Sequence, residues 1–515
     1  MTVAGIIYGE RRPTRARTSQ SASFPAPVDG WNARDALTGM QPTEAARLDN
    51  FFPGFGKVAL RGGYAQHATG LGGTVKTIAE FNAGATRTMI AAANGSIFTT
   101  TSAGAVGAAL ASGFTEDEWQ VAQFDDSGGG ARLGLVNGAD APQVYTGSAV
   151  SAMTVSGPAD VTKLVGIQVY KSRSYFWEVD SQSVWYSATN ALGGALTEFK
   201  LGRVSGWGGN IVAMGTWSRD GGTGPQDYAV FISSGGDAIV YGGSYPGGAD
   251  WELVGLYRVG EPIGYRCTVK VGAELYVITK AGYVPMSQVY ASGEASRALS
   301  DRIRGAVLAA VAKGQALGGW QGVFYPRGNY LMVNVPDGSS TYYQHVVNVT
   351  SGAWCRFKGQ DFYTFAVFNG RLYGGGFDGI VYLCDEGSDD DGSAIQGDAI
   401  AAWNYLGAPG SLKRINMVRV VGATPAGSAA YSLDVKVDFD EDTATTSGAA
   451  AAGSSSPWDT SLWDVTLWAS ELQVFSSWGG SGGLGDAMAA RLRVSSESAF
   501  EWYQTTYIYT IAGPL

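Results

Sequence analysis

The sequence predicts an all-β chain built around an irregular β-propeller of about six blades, flanked by an extended N-terminal segment and a C-terminal β-sandwich-like domain, with one inserted helix. Repeat spacing, turn residues and composition predict it. Short apolar or alternating runs recur at a spacing of roughly 40 to 50 residues, the period of propeller blades. Each run ends in a Gly, Asn or Asp turn. Glycine is abundant, with 75 residues in 515, well above a usual share of about 7%, and it follows no collagen-like period. Aromatic residues make up 12% of the chain, which favours strands.

The blade signal runs from residue 73 to residue 390. Its clearest units place a strand before Asn-Gly and a second strand after it, as at Asn94-Gly95-Ser96-Ile97-Phe98 and at Asn369-Gly370 leading to Gly379-Ile380-Val381-Tyr382. Asn-Gly is a type I′ hairpin turn because both residues accept positive φ. One segment departs from this pattern. Between Ala291 and Gly318, apolar Leu299, Ile303, Val307, Leu308 and Val311 recur near helical spacing, which predicts an inserted amphipathic helix. It either packs on its own propeller or contacts a partner.

Residues 1–72 carry no blade signal and read as an arm and assembly segment. The stretch from Arg11 to Pro27, with Arg11, Arg12, Arg15 and Arg17, reads as extended, either a solvated arm or a contact to acidic surface or nucleic acid. Pro42 to Leu48 predicts a short helix: Pro leads, Glu44 sits in the first turn, and Ala45, Ala46 and Leu48 follow. Asn50 to Gly54 then forms an aromatic turn. On the other side, Ser388 to Gly397 reads as a polar linker. Residues 391–515 alternate over several strands and predict the sandwich. A low-complexity loop interrupts them, and its Trp458, Trp463 and Trp468 are candidate partner contacts.

Composition narrows the chemistry. A net charge of -10 argues against coating DNA by charge neutralisation, while an acidic wall lets DNA pass without sticking. Three scattered cysteines fit buried free thiols rather than a disulfide framework or zinc site. No apolar run approaches the roughly 18 residues of a membrane helix. The basic residues follow the N-terminal apolar patch, the reverse of a signal peptide, so synthesis and folding in a cytoplasm are expected. With two histidines, His67 and His345, His-based triads and multi-His metal sites are disfavoured. Asp389-Asp390-Asp391-Gly392 lacks calcium-loop spacing. Trp217 to Thr223 resembles a single sialidase-type Asp-box turn without its closing Trp. No phosphate loop, nucleophile elbow or HExxH motif is present, and no cofactor is expected.

Two stretches carry a family resemblance. The first is Gly30-Trp31-Asn32-Ala33-Arg34-Asp35 through Met40-Gln41-Pro42, then Ala45-Ala46-Arg47-Leu48-Asp49-Asn50-Phe51-Phe52-Pro53. The second is Leu406-Gly407-Ala408-Pro409-Gly410 with Lys413-Arg414, then Val435-Lys436-Val437-Asp438-Phe439. Together they resemble the tail nozzle proteins of short-tailed phages, also called tail tubular or packaged-DNA stabilisation proteins. The resemblance implies a non-enzymatic virion protein, a homohexamer at the distal end of the tail. It implies docking on a tail adaptor or tube and through it the portal, with tail fibres as further partners. Genomic DNA would pass through a gated channel without sequence-specific binding and leave at the host envelope. The residues that carry it, as assembly candidates, are Trp31, Asn32, Arg34, Asp35, Leu48, Asn50, Phe52, Pro53, Lys413 and Arg414. The competing readings are a receptor- or glycan-binding propeller and, behind it, a propeller glycosidase.

Overall fold

Asn94 and Gly95 adopt φ of 52° and 67°, and Asn369 and Gly370 adopt 49° and 72°. These are the paired left-handed turns that close the hairpins expected there. Repeated around the chain, such hairpins build the architecture of the computed structural model, which describes residues 18–126, 129–220, 225–292, 298–425, 430–441 and 472–514.

Among the described residues, seven antiparallel meanders succeed one another along the chain, the sixth and seventh joined through other strands into one larger sheet. Their first strands are Thr77–Ala83, Gln120–Asp126, Leu164–Tyr170, Ile211–Asp220, Thr268–Val271, Gln321–Tyr325 and Phe362–Phe368. Each of these strands contacts the next, and the seventh contacts the first, so the ring closes. The protein is therefore a β-propeller with one blade more than the six units the sequence suggests. The fifth blade has three strands (Thr268–Val271, Glu274–Thr279, Gly282–Pro285); the unit the sequence repeat does not show is the sixth, which begins after the inserted helix. The outer strand of the seventh comes from far away in sequence: Tyr64–Thr69 pairs antiparallel with Val381–Cys384. Small apolar clusters fill the gaps between blades, for example Phe81, Trp119, Leu133 and Tyr145 between the first and second.

The sixth blade does not stop at its outer strand. Trp354–Lys358 pairs in parallel with Gly30–Trp31 and Glu44–Asp49, and the sheet runs on through Ser393–Ala401 and Met488–Ser496 to Ala430–Val437. A second sheet lies against this extension. It consists of Gln20–Pro25, Glu501–Pro514, Ser411–Thr424 and Gln473–Gly480, with the Phe51–Pro53/Val58–Leu60 hairpin and Leu484–Gly485 at its margins. One large core joins the two, from Trp217 and Val230 in the propeller to Phe51, Val418, Leu492 and Trp502 in the sandwich. The sandwich thus takes strands from both flanks of the propeller.

Two expectations are corrected. Glu44–Asp49 is a strand, not a helix. Seven residues make a marginal helix in water, whereas the extended form pairs with three strands and buries Ala45 and Leu48 completely. Ser388–Gly397 is not a linker. Asp389–Asp390 and Ser393–Ala401 form a hairpin around Asp391-Gly392, at φ of 50° and 82°. The Asp-Gly pair is a type I′ signal that its polarity disguised.

The inserted helix is Arg304–Gly314, preceded by a 3-10 turn, Leu299–Ile303, and by a second short helix, Met286–Ser292. Ile303, Val307 and Val311 are buried in the main core, so it packs on its own chain, while Leu308 stays exposed. Both histidines have structural surroundings. His67 Nε2 lies 3.0 Å from the Thr100 carbonyl oxygen. His345 is wholly buried, and its Nδ1 is 2.8 Å from the Tyr283 hydroxyl.

Burial, with the nearby Arg356 charge, pushes the His345 pKa from 6.5 down to about 3. Between those values the unfolded chain binds a proton that the folded chain refuses, so stability is full above pH 6.5 and falls as the pH drops towards 3. Replacing His345 by Gln should flatten the slope of melting temperature against pH in that window; an unchanged slope would assign it elsewhere.

Candidate assembly site

The first family-like stretch begins where the chain backbone crosses under the sixth blade. Gly30 has φ of +81°, and a Cβ there would stand 2.5 Å from the Trp354 carbonyl oxygen, so the close parallel pairing requires glycine. Trp31 is buried, donates through Nε1 to the Ala46 carbonyl at 3.1 Å, and lies under the Arg356 guanidinium at 5.1 Å. Asn32 accepts from the backbone N–H of Arg34 and Asp35, and donates to Asp35 (2.8 Å) and Glu44 (3.0 Å). Arg34 bridges Asp35 and Asp301, while Arg302 donates to Glu44 at 3.0 Å. The hydrogen bonds from Arg34 and Asn32 hold the Asp35 carboxyl down at about 2. The motif thus pins the turn before the inserted helix to the sandwich.

The second half of the stretch carries a denser knot. Asp49 receives Arg356 in a bidentate pair at 2.7 and 2.8 Å, and Lys358 at 3.0 Å. Asn50 stands at φ of 59°. Its Oδ1 accepts from Arg61 Nε (2.9 Å) and the Lys358 N–H (2.7 Å), and its Nδ2 donates to the Gln396 carbonyl (2.8 Å). Arg61 is 4% exposed. Besides Asn50 it donates to the Gly62 and Lys358 carbonyls and, in a bidentate pair at 2.7 and 2.6 Å, to Asp390. Phe52 packs on Tyr330 and Phe357, and the Pro53 carbonyl accepts from Asn348. Leu48 is fully buried.

The second family-like stretch is a clasp inside the sandwich. Leu406 and Gly407 turn with φ of 50° and 75°. Lys413, fully buried, donates to the Asp486 carboxylate and carbonyl, both at 2.7 Å. That bond is the main cause holding the Asp486 carboxyl below its usual range. Asp438 accepts from the backbone N–H groups of Asp486 and Ala487. The two stretches meet: Leu37 and Ala46 from the first pack with Trp403, Tyr405 and Phe439 around the second. Among the assembly candidates, then, most are spent on the chain's own interior; Arg414 is exposed, and Arg34 and Asp35 are half-exposed. Trp458, Trp463 and Trp468, and the arginines at 11, 12, 15 and 17, lie outside the described residues. Sequence reasoning passed over Arg61 and Asp390. Their signals were an arginine ending an apolar strand before Gly62-Gly63, and the Asp-Gly turn beside Asp390.

The propeller axis holds a cavity of about 220 Å³, lined by residues from the inner strands. Arg266, leading into the fifth blade, reaches across it to the Lys76 and Trp119 carbonyls and the Thr77 and Thr364 hydroxyls, at 2.9 to 3.2 Å. A passage spanned in this way does not admit a nucleic-acid duplex. The acidic run at Asp389 is also engaged: Asp390 with Arg61, Asp391 with Gln66, and Asp389 with the Gly392 N–H. Cys267, Cys355 and Cys384 are buried free thiols, and burial pushes Cys267 up to about 12. Trp217 is buried in the first strand of the fourth blade; residues 221–224 of the Asp-box-like stretch lie outside the described residues. Among the described residues no three His, Cys, Asp or Glu side chains are grouped to hold a metal.

No protein-family profile matches the chain, and no curated protein matches it. Solved structures do. The N-terminal part of BBS1 in complex with ARL6 aligns with 63% of this chain and 97% of its own, at 10% identity and a TM-score of 0.42. The WD40 β-propeller domain of Doa1 aligns with 62% and 97%, at 11% identity and a TM-score of 0.39. A computationally designed protein, Ika8, aligns with 62% and 99%, at 10% identity and a TM-score of 0.37.

Removing the buried Arg61 leaves the largely covered Asp390 carboxylate without its cation, so Arg61→Ala should cost about 3–5 kcal/mol. The change would be read as an earlier denaturation midpoint of the full chain. Arg414→Ala should stay within about 0.5 kcal/mol, as exposed surface changes do. Equal effects would remove Arg61 from its assigned place at the seam.

Proposed function

We propose that this chain is a non-enzymatic subunit of the nozzle of a short-tailed phage: a homohexameric ring that closes the distal DNA channel, retains the packaged genome and lets it out into the host. The observation that supports this most is the meeting of the two family-like stretches. They come from opposite flanks of the propeller, yet they pack around Trp403 and Phe439 and fasten the same sheet. A resemblance scattered at random along the chain would not be expected to converge in this way.

Two further properties fit. A net charge of -10 suits a wall past which DNA slides without adhering. With Arg266 spanning the propeller axis, the conduit lies between copies rather than through one. On this reading the ring docks on a tail adaptor or tube below the portal, with tail fibres alongside, and meets the host envelope at ejection.

One surface favours a second reading, a glycan-binding propeller. Trp207 is 64% exposed, with the Arg258 guanidinium 3.9 Å from its ring. An exposed indole is a stacking platform for a sugar ring as well as for a protein.

Native mass measurement and electron microscopy of the purified full chain should find a closed ring of six copies. A chain that stays monomeric at every concentration while binding or cleaving glycan would overturn the nozzle reading. On a glycan array, the second reading requires a signal that Trp207→Ala abolishes; the nozzle reading expects none.

A further inference from the structure

Ten large apolar side chains are well exposed among the described residues, and four of them (Met417, Val474, Trp478 and Leu484) belong to three adjoining strands of the sandwich. Strand alternation places them on one face. In Ser411–Thr424, Ile415, Val418 and Val420 turn into the core, while Arg414, Met417, Arg419 and Val421 turn out. Across the ladder, Arg414 faces Leu484 and Arg419 faces Trp478. Phe475 points inward and its neighbour Val474, 71% exposed, points away from the core. On the other side Ile508 continues the face opposite Met417.

This face is cationic as well as apolar. Arg419 lies over the Trp478 ring at 4.7 Å, with its Nη2 at 3.4 Å from the Thr506 hydroxyl. Neither Arg419 nor Arg414 is paired with a carboxylate among the described residues. The carboxylate at the margin, Glu501, is already held by Lys57 at 2.5 Å. Copies of a chain with net charge -10 repel one another across most orientations. A face of Trp, Met and unpaired Arg is where that repulsion is reversed, and these are residue types enriched at interface centres.

The complementary chemistry sits on the seventh blade. A cleft of about 340 Å³ is lined by Tyr64, Asp361, Phe377, Asp378 and Tyr382, among others. Asp378 accepts from the Tyr382 hydroxyl at 2.6 Å and Asp361 from the Tyr342 N–H at 2.7 Å. Neither carboxylate has a basic partner among the described residues. Burial is the main cause that pushes the Asp361 carboxyl up, as expected of a carboxylate short of positive charge.

Resting on the reading that copies form a ring, we propose that the Arg414–Arg419–Trp478 face of one copy docks into the Asp361–Asp378 cleft of the next. The two surfaces share no residue, so the contact is heterologous, the kind that closes rings. The arginines supply the charge the cleft lacks, and Trp478 and Met417 meet its tyrosine and phenylalanine rings.

The test measures assembly of the full chain by sedimentation and native mass, with circular dichroism to confirm folding. Arg414→Glu with Arg419→Glu, and separately Asp361→Arg with Asp378→Arg, should each weaken assembly by about tenfold or more, and all four together should restore most of it. Val474→Glu, at the most exposed position of the face, should weaken assembly while leaving the fold intact. Assembly unchanged by the arginine variants overturns the face. Assembly lost with those variants but indifferent to the aspartate variants overturns the cleft as its partner. A wild-type chain that never assembles overturns the ring reading together with this one, and needs no variant to detect.

Discussion

Arg61 is the cation on which the junction of propeller and sandwich depends. Its five N–H groups reach a side-chain amide, two carbonyls and both oxygens of a carboxylate. Apart from the adjacent Gly62 carbonyl, these acceptors come from three places: the Asn50 turn, the outer strand of the sixth blade, and the hairpin that starts the C-terminal module. A buried guanidinium tolerates no vacancy among its donors, because each unmet one carries the full cost of desolvation. The three segments therefore take up their relative positions together or not at all. Asn50, in a left-handed conformation, completes the arrangement by donating to the sandwich while accepting from Arg61 and the blade.

This seam changes what the opening motif does. Trp31, Asn32 and Asn50 read as assembly residues, yet their hydrogen bonds are all made within the chain. They set the angle between two rigid parts, and so fix how the outward surfaces of one copy are presented. In a nozzle, that angle would decide whether successive copies close into a ring. The surfaces that could then touch a neighbour are elsewhere, on the outer sheet face around Trp478 and on the rim of the seventh blade.

Turn chemistry made most of the propeller legible in advance. Asn94-Gly95 and Asn369-Gly370 fold as their residue types demand, and Arg304–Gly314 is helical where its apolar spacing said so. What failed was whatever depended on distant partners. Glu44–Asp49 has helix-compatible composition, but pairing with three strands outweighs a seven-residue helix. The Asp-rich run at 388–392 looked solvated because its partners, Arg61 and Gln66, lie more than three hundred residues earlier. The blade left out of the count was the sixth, Gln321–Tyr325 to Trp354–Lys358, which follows the inserted helix and whose outer strand runs on into the sandwich. At the site, the motif residues were found but their direction was not, since a local pattern cannot say whether an asparagine faces its own chain or another.

The pairing of Tyr64–Thr69 with Val381–Cys384 bears on how the protein is made. The strand that completes the last blade is made before any blade, and its partner follows only after six blades have been synthesised. Until then its edge and its apolar side chains have no home, and the ring cannot close. The sandwich waits longer still, because Gln20–Pro25 pairs with Glu501–Pro514. Early segments thus wait for late ones at both junctions, a high-contact-order arrangement that folds slowly and leaves strand edges open to wrong pairing. Blades one to five, whose pairings are local, can form during translation; the joints that make them one body wait until Val381–Cys384 and Glu501–Pro514 have been made.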